Sequence, residues 1–307
     1  MITYVIGVLF AVGQAPSRDS LLAEGIRLAA LQPAAALLRF DAILAADSTD
    51  VAASWRAAIA RSDLAEPLLG DAARPRRDSL LAAAQLAARR AVRLDSGNAR
   101  ALFALGLVLG NTALSRGLKE RIRMAVEIRD LALRSLAADS MLDGAHHLLG
   151  RWNYEVMKLS GFQRFIARNI LGGGVLGEAS WNEAQLQLER AVALDATRIY
   201  HRLDLARVYL ARKDAAAARS QLTRIGELPV RVAADTMLRR EAAELLRTLP
   251  VVSLHRLNPP LDLLLGAPAQ VFPLVARELP GVLQLALEPP PGHVSRGRRQ
   301  EQGRRGA

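Results

Sequence analysis

The sequence predicts an all-α protein built as an α-solenoid, that is, a stack of antiparallel helix pairs. Apolar residues recur at helical spacing along most of the chain, and no alternating run of β-branched residues is long enough for a strand. Ala, Leu, Arg and Glu, which are strong helix formers, are abundant. A short motif in which an apolar turn ends in an aspartate also occurs four times, as expected of repeated helical hairpins.

The four motifs end 48, 44 and 56 residues apart, at Asp47, Asp95, Asp139 and Asp195. We expect each aspartate to end one helix and to cap the next. This spacing exceeds the ~34 residues of a tetratricopeptide unit, so we predict tetratricopeptide-like hairpins with longer helices or loops. A small residue follows eleven positions after each aspartate, where two helices of a hairpin must touch: Ala58, Gly106, Gly150 and Ala206.

Periodicity and capping residues predict twelve helices between residues 18 and 249, the repeat domain. The glycine-rich stretch 169–177 is predicted to be a loop. The extension 250–307 holds nine of the fourteen prolines and is predicted to be largely disordered. The approximate helix bounds are 18–31, 34–46, 50–61, 78–94, 98–114, 118–138, 143–158, 162–170, 180–194, 198–211, 214–226 and 232–248.

Residues 1–17 are typical of a secretory signal peptide because the apolar stretch 2–12 is followed by small residues. The basic residues that usually precede such a stretch are missing, so a buried N-terminal helix in a cytoplasmic protein is the alternative. We expect export to the periplasm or cell envelope, with a mature chain that begins between Gln14 and Ser17.

The formal charge of +11 includes five arginines in the last dozen residues, but no aromatic-interleaved basic groove or DNA-reading motif accompanies them. We expect no specific nucleic-acid partner. A basic tail can still hold a chain on nucleic acid or on an anionic membrane, and this remains the alternative function.

Catalytic motifs are missing from the sequence. The chain has no cysteine, which excludes disulfides and thiol chemistry, and its five histidines lack the spacing of a helical zinc site. The glycine cluster lacks the ending of a phosphate loop, and no Gly-x-Ser-x-Gly elbow occurs. We expect no enzymatic activity, no cofactor, no metal and no small-molecule substrate.

One set of residues between 100 and 249 has the order and spacing of a known family. They are His147, Leu149–Trp152, Tyr154–Val156, Ala179–Ala184, Ala206–Leu210, Leu228, Pro229, Asp235 and Glu241–Leu246. With them the segment resembles the regulators of microtubule dynamics, a family of tetratricopeptide-like helical proteins. The resemblance implies a helical repeat fold that works by protein association, and it implies tubulin as a partner in animals. The arginine and alanine bias looks bacterial, and an exported bacterial protein would not meet tubulin, so we expect another protein or peptide.

The spacing from each aspartate also predicts which residues line a binding groove. Arg151 and Arg207 occupy equivalent positions, so they should lie side by side and favour an acidic partner unless Glu155 or Asp204 neutralises them. We expect their replacement by alanine to spare stability and to weaken partner capture. Ile59 also faces the groove, whereas Phe103, Leu107 and Leu203, at groove positions too, are expected to be core. The predicted binding residues are Trp55, Arg100, His147, Arg151, Tyr154, Tyr200 and Arg207.

These observations favour a noncatalytic adaptor that binds a protein or peptide. Trp, Tyr and Arg side chains, which recur at the predicted groove positions, dominate binding hot spots because they combine large apolar area with directional hydrogen bonds.

Overall fold

The computed structural model of the chain describes residues 16–113, 115–169 and 173–249, and these ranges contain helices but no strand. The all-α prediction is therefore confirmed for the described residues, whereas the predicted signal peptide and C-terminal extension lie almost entirely outside them. The helices are α1 Arg18–Ala29, α2 Pro33–Ala46, α3 Val51–Ala65, α4 Arg74–Leu94, α5 Ala99–Ala113, α6 Leu118–Ala138, α7 Asp143–Lys158, α8 Gly161–Asn169, α9 Trp181–Leu194, α10 Ile199–Ala211, α11 Ala215–Glu227 and α12 Asp235–Thr248.

The helices pair in the order expected of a solenoid. Hairpins are formed by α1 with α2, α3 with α4, α5 with α6, α7 with α9, and α10 with α11. The first helices of these pairs and α12 are called the front helices here, and the second helices are called the back helices. Each back helix also packs on the next front helix, while α3, α5, α7, α10 and α12 contact one another in sequence. This pattern confirms the tetratricopeptide-like α-solenoid.

The four motif aspartates adopt one shared conformation. Each ends a back helix by donating its backbone N–H to the carbonyl four residues earlier, at 2.8, 3.0, 2.9 and 3.0 Å for Asp47, Asp95, Asp139 and Asp195. The Oδ1 atom of each aspartate then accepts the backbone N–H two residues later, at 2.8, 3.2, 2.9 and 3.0 Å. The next front helix starts four residues after the aspartate in all four copies.

The expectation that each aspartate also caps the following helix is wrong. The aspartate side chain is used within the loop, and the residue three positions later precedes the next helix instead. The side chain of that residue caps α3 and α5, whereas α7 and α10 have no side-chain cap. Asp50 fills this role for α3 by accepting the backbone N–H of Ala53 at 2.8 Å. Asn98 does the same for α5.

Two of the recurring small residues show how closely the helices approach. A Cβ atom at Gly150 would lie 2.7 Å from Cγ of Leu188 and 3.1 Å from the backbone nitrogen of that residue, on the hairpin partner α9, as predicted. At Gly106 the tightest contact is instead with the next front helix, α7, where a Cβ would lie 2.5 Å from Cδ2 at the end of the Leu148 side chain. A larger residue at Gly150 would therefore clash with the backbone of α9, whereas a larger residue at Gly106 would clash with the end of a side chain.

The loop predicted for residues 169–177 is wrong for 174–177, and residues 170–172 lie outside the described ranges. Residues Gly174–Glu178 lie between α8 and α9 in the sequence and form a 3-10 helix that packs against α8. Gly173 is required there because a Cβ would lie 2.8 Å from the carbonyl oxygen of Ala167. The extra residues of this repeat are thus a packed insertion.

Alanine and leucine fill most of the core, with Trp152 as its largest member. Trp152 is 6% exposed and donates its Nε1–H to the carbonyl of Ala125 at 2.7 Å, so its indole is satisfied within the core. No helix of the described part of the chain is long and apolar enough to span a bilayer.

Enlarging Gly150 and Gly106 tests these contacts. We expect Gly150→Leu and Gly106→Leu each to lower the free energy of unfolding by about 1–3 kcal/mol through overpacking. Gly150→Ala should still destabilise, whereas Gly106→Ala should be close to neutral because Leu148 can shift and alanine gains about 0.5–1 kcal/mol of helix propensity. Urea unfolding monitored by circular dichroism measures the free energy of unfolding of each variant. Gly110, which has no atom within 4 Å of a built Cβ, is the control site for alanine. Unfolding of both leucine variants at the urea concentration of the parent would contradict the repeat register.

Candidate functional site

The front helices share one surface that the back helices do not cover, called the inner face here. On α3, side chains at positions 55, 56, 59 and 63 fall within about 100° of helix circumference. Arg100 on this face is exposed and the other members are half-buried. The inner face consists of Trp55, Arg56, Ile59, Asp63, Arg100, Phe103, Leu107, His147, Arg151, Tyr200 and Arg207.

Side-chain contacts join neighbouring front helices along this face. The Phe103 ring fills the space left by Gly144, where a Cβ would lie 2.7 Å from Cζ. The rings of His147 and Tyr200 pack edge to face with centroids 4.7 Å apart. Helices α5, α7 and α10 therefore share a continuous inner surface.

Two predicted groove positions do not belong to the inner face. Tyr154 is 7% exposed and packs against Trp181 in the cluster between α7, α9 and α10, so its prediction as a groove residue is wrong. Burial also raises the pKa of Tyr154 to about 12. Leu203 is 1% exposed and belongs to the core, as expected, whereas Phe103 and Leu107 remain half-buried.

The row of front helices curves until its two ends meet. The backbone N–H of Ala233, just before α12, donates to the carbonyl of Ala30, just after α1, at 3.0 Å. Asp63 on α3 also interacts electrostatically with Arg198 and with Tyr200 at the start of α10, although α5 and α7 lie between these helices in the stack. The inner face is therefore concave.

Two histidine–aspartate pairs run in opposite directions between α7 and α10. His147 of α7 contacts Asp204 of α10 through Nε2 at 2.9 Å, and His201 of α10 contacts Asp143 of α7 through Nε2 at 2.8 Å. His201 is fully buried, and burial lowers its pKa to about 4, so the ring is neutral at pH 7. These pairs fix the two front helices against each other.

Asp204 is the centre of a larger ionic network. Its side chain is 3% exposed and accepts hydrogen bonds from Arg151, at 2.9 Å, and from Arg207. Arg151 also bonds Glu155 at 2.8 Å, and Arg207 bonds Glu241 of α12. Burial alone would raise the pKa of Asp204, but the two arginines and His147 hold it well below its usual range.

The predicted unneutralised pair of arginines is therefore not present. Three carboxylates neutralise Arg151 and Arg207, and the latter side chain is only 17% exposed. Because Asp204 and Glu155 neutralise these arginines, Arg151 and Arg207 no longer favour an acidic partner.

Uncompensated cations occur instead at the other end of the inner face. Arg56 lies over the Trp55 ring, with its guanidinium carbon 3.9 Å from the centroid, and donates to the carbonyl of Ala52 at 3.1 Å. Burial, together with the neighbouring charge of Arg100, lowers the pKa of Arg56 to about 10 against an opposing contribution from Asp50. Neither arginine has a carboxylate partner in an ion pair within the described residues.

Asp63 is an uncompensated carboxylate on the same helix. It has no hydrogen bond or ion pair within the described ranges. Burial raises its pKa to about 7, with a further contribution from the charge of Glu66 and an opposing one from Arg198. Residues with shifted pKa values of this kind concentrate at functional sites, because a buried charge without a partner does not stabilise the fold.

The sequence predicts Trp55, Arg100, His147, Arg151, Tyr200 and Arg207 as groove residues. The structure brings His147 together with Tyr200, and Arg151 together with Arg207 through Asp204, while binding by the whole set stays a prediction. Arg56 and Asp63 were not predicted. The repeat register contained a signal for both, because they lie one and eight residues after Trp55 and so share its helix face. Their lack of partners depends on tertiary contacts that the register does not specify.

The histidines of α7 have separate partners. His146 contacts Gln187 and His147 contacts Asp204. Among the described residues, no group of three or more His, Asp or Glu side chains could hold a metal ion.

Comparison with known proteins gives one family. A family model described as Regulator of microtubule dynamics protein 1-3 matches residues 31–250. Regulator of microtubule dynamics protein 1 of Bos taurus is 27% identical over 203 residues, which are 66% of this chain and 62% of the bovine protein. The chain thus spans less than two thirds of the length of that relative.

One solved structure of a tetratricopeptide protein shares the fold. TTC0263, a thermophilic tetratricopeptide protein of Thermus thermophilus, matches with a TM-score of 0.52 at 19% identity, over 75% of this chain and 100% of that chain. At this identity the likeness extends to the fold alone. The pilF protein of Pseudomonas aeruginosa is also similar, with a TM-score of 0.45 at 16% identity, over 75% of this chain and 84% of that chain.

The ionic network reverses the expected behaviour of the double variant Arg151→Ala plus Arg207→Ala. Removing both arginines leaves buried Asp204 with His147 alone, so we expect the free energy of unfolding to fall by about 3–5 kcal/mol. Thermal and urea unfolding measure it. Arg123→Ala, which breaks only an exposed pair with Glu120, is the control and should change stability by less than about 0.5 kcal/mol. A double variant that unfolds like the parent would show that the network does not hold α7 to α10.

Proposed function

This chain belongs to the family of regulator of microtubule dynamics proteins 1-3, and we propose that it is a noncatalytic adaptor that binds a protein or peptide along its inner face. One observation carries the proposal: the front helices leave aromatic and charged side chains on a concave surface without partners from the back helices. Solenoids of helical hairpins use such surfaces for binding.

Tryptophan and arginine supply the binding energy in this proposal. Trp55 stays half-buried at the surface, and Arg56 keeps its guanidinium over the ring. Side chains of these types dominate interface hot spots because they combine apolar area with directional hydrogen bonds. A partner that carries an acidic group would also neutralise Arg56 and Arg100.

The cell envelope is the proposed location, on the strength of the apolar segment and small residues within 1–17. The bovine relative is named for microtubule dynamics. An exported bacterial chain would not meet tubulin, so a protein or peptide of the envelope is the proposed partner.

Site-specific photo-crosslinking tests the adaptor role. With p-benzoylphenylalanine in place of Arg100, an exposed inner-face residue, we expect a discrete crosslinked partner in cells of the native host. The same probe in place of Leu86, which is 72% exposed on the back helix α4, is the control and should give none. Equal crosslinking at both positions would overturn the proposal. Capture that requires residues 289–307 and falls steeply with salt would favour the basic-tail anchor instead.

Intact mass spectrometry of the protein purified from its own host tests export. We expect a mature N-terminus between Gln14 and Ser17. A retained Met1 would contradict both the signal peptide and the envelope location.

A further inference from the structure

We propose that the inner face of α3 and α5 binds an extended peptide segment that carries an acidic group and, about three residues away, a basic side chain. The acidic group would lie between Arg56 and Arg100, and the basic one beside Asp63. The proposal rests on the adaptor function and specifies it further, because it gives the charge pattern of the partner.

The cationic end of the site is formed by two arginines from adjacent front helices. Arg56 is held in place by its stacking on Trp55 and by its hydrogen bond to a backbone carbonyl of α3. Its charge and that of Arg100 act on each other, and Asp50, the carboxylate that also acts on Arg56, is already ion-paired with Arg18 at 2.7 Å. A carboxylate placed between the two inner-face arginines would form charge-assisted hydrogen bonds to both, which are stronger than neutral ones.

The anionic end of the site lies farther along α3. Asp63 and Glu66 are carboxylates without side-chain partners in the described part of the chain. Arg198, which faces Asp63 from α10, is itself engaged by Asp195 at 3.2 Å. A basic side chain of the partner would therefore meet an unsatisfied carboxylate, whereas a uniformly acidic peptide would be repelled there.

The separation of the two ends sets the spacing of the partner. Arg56 and Asp63 are seven residues apart on one helix, which corresponds to a rise of about 10 Å at 1.5 Å per residue. An extended chain covers that distance in about three residues, at roughly 3.3 Å each. Trp55 and Ile59 lie on the same face and offer an apolar surface to the residues between.

The curvature of the front helices favours an extended occupant over a helix. The two ends of their row meet where the backbone N–H of Ala233 donates to the carbonyl of Ala30 at 3.0 Å, so the concave surface is bounded rather than open. An extended chain needs less width there than a helix, which is about 10–12 Å across with its side chains.

The opposite end of the inner face offers no equivalent site. Arg151 and Arg207 are neutralised by Asp204, Glu155 and Glu241, so a carboxylate from a partner would have to break existing pairs. The unsatisfied charges of the inner face are concentrated on α3 and α5.

Selection from a random peptide library displayed on phage tests the proposal at pH 8, where Asp63 is ionised. We expect the wild-type protein to enrich peptides with one acidic and one basic residue at a constant spacing of three to four positions. The charge-reversed variant Arg100→Glu plus Asp63→Arg should enrich the same spacing with the two charges exchanged. Selected peptides should bind the wild type at least tenfold more tightly than the reversed variant.

Asp63→Asn separates binding from folding, and a thermal melt of each variant verifies that it is folded. Removing an unsatisfied carboxylate should raise the melting temperature and lower the preference for a basic residue at least fivefold. Enriched peptides without a charge pattern, or with one unchanged by the reversal, would overturn the proposal while leaving the adaptor function intact. No enrichment on any variant would count against both.

Discussion

The structure depends on the turn made by each motif aspartate. In each copy the backbone N–H of the aspartate completes the preceding helix, and its carboxylate holds the backbone two residues later, so that the next front helix always begins at the same distance. This constant offset makes positions in successive front helices equivalent. The equivalence aligns their side chains into one inner face, and the close contacts at Gly106 and Gly150 set how tightly the helices pack.

The inner face divides into two electrostatic halves. Between α7 and α10, two histidine–aspartate pairs and the Asp204 network satisfy almost every charge, and these interactions hold the last repeats together. Between α3 and α5, arginines and a carboxylate remain without ion-pair partners among the described residues, and Arg56 and Asp63 carry shifted pKa values. The paired charges stabilise the fold. The unpaired charges mark the surface at which a charged partner would gain the most binding free energy.

The sequence predicted the elements far better than the site. Helices α1–α12 follow from periodicity and caps, and the inner face follows from counting residues after each aspartate. The buried state of Tyr154 was not predicted, and the pairing of Arg151 with Asp204 was only an open alternative, because both depend on how far α9 and α10 rotate against α7. The 3-10 helix at Gly174–Glu178 was missed for a similar reason. A high glycine content indicates a flexible backbone, but it does not show that tertiary packing will order that backbone.

Hydrogen–deuterium exchange of the protein with and without a bound partner peptide tests the central claim, that the partner binds the unsatisfied half of the inner face. We expect slower exchange in α3 and α5 on binding, with the back helices α4 and α6 unchanged. Protection confined to α7 and α10, or to the back helices, would contradict the account and place the binding surface on the part of the fold where the charges are already paired.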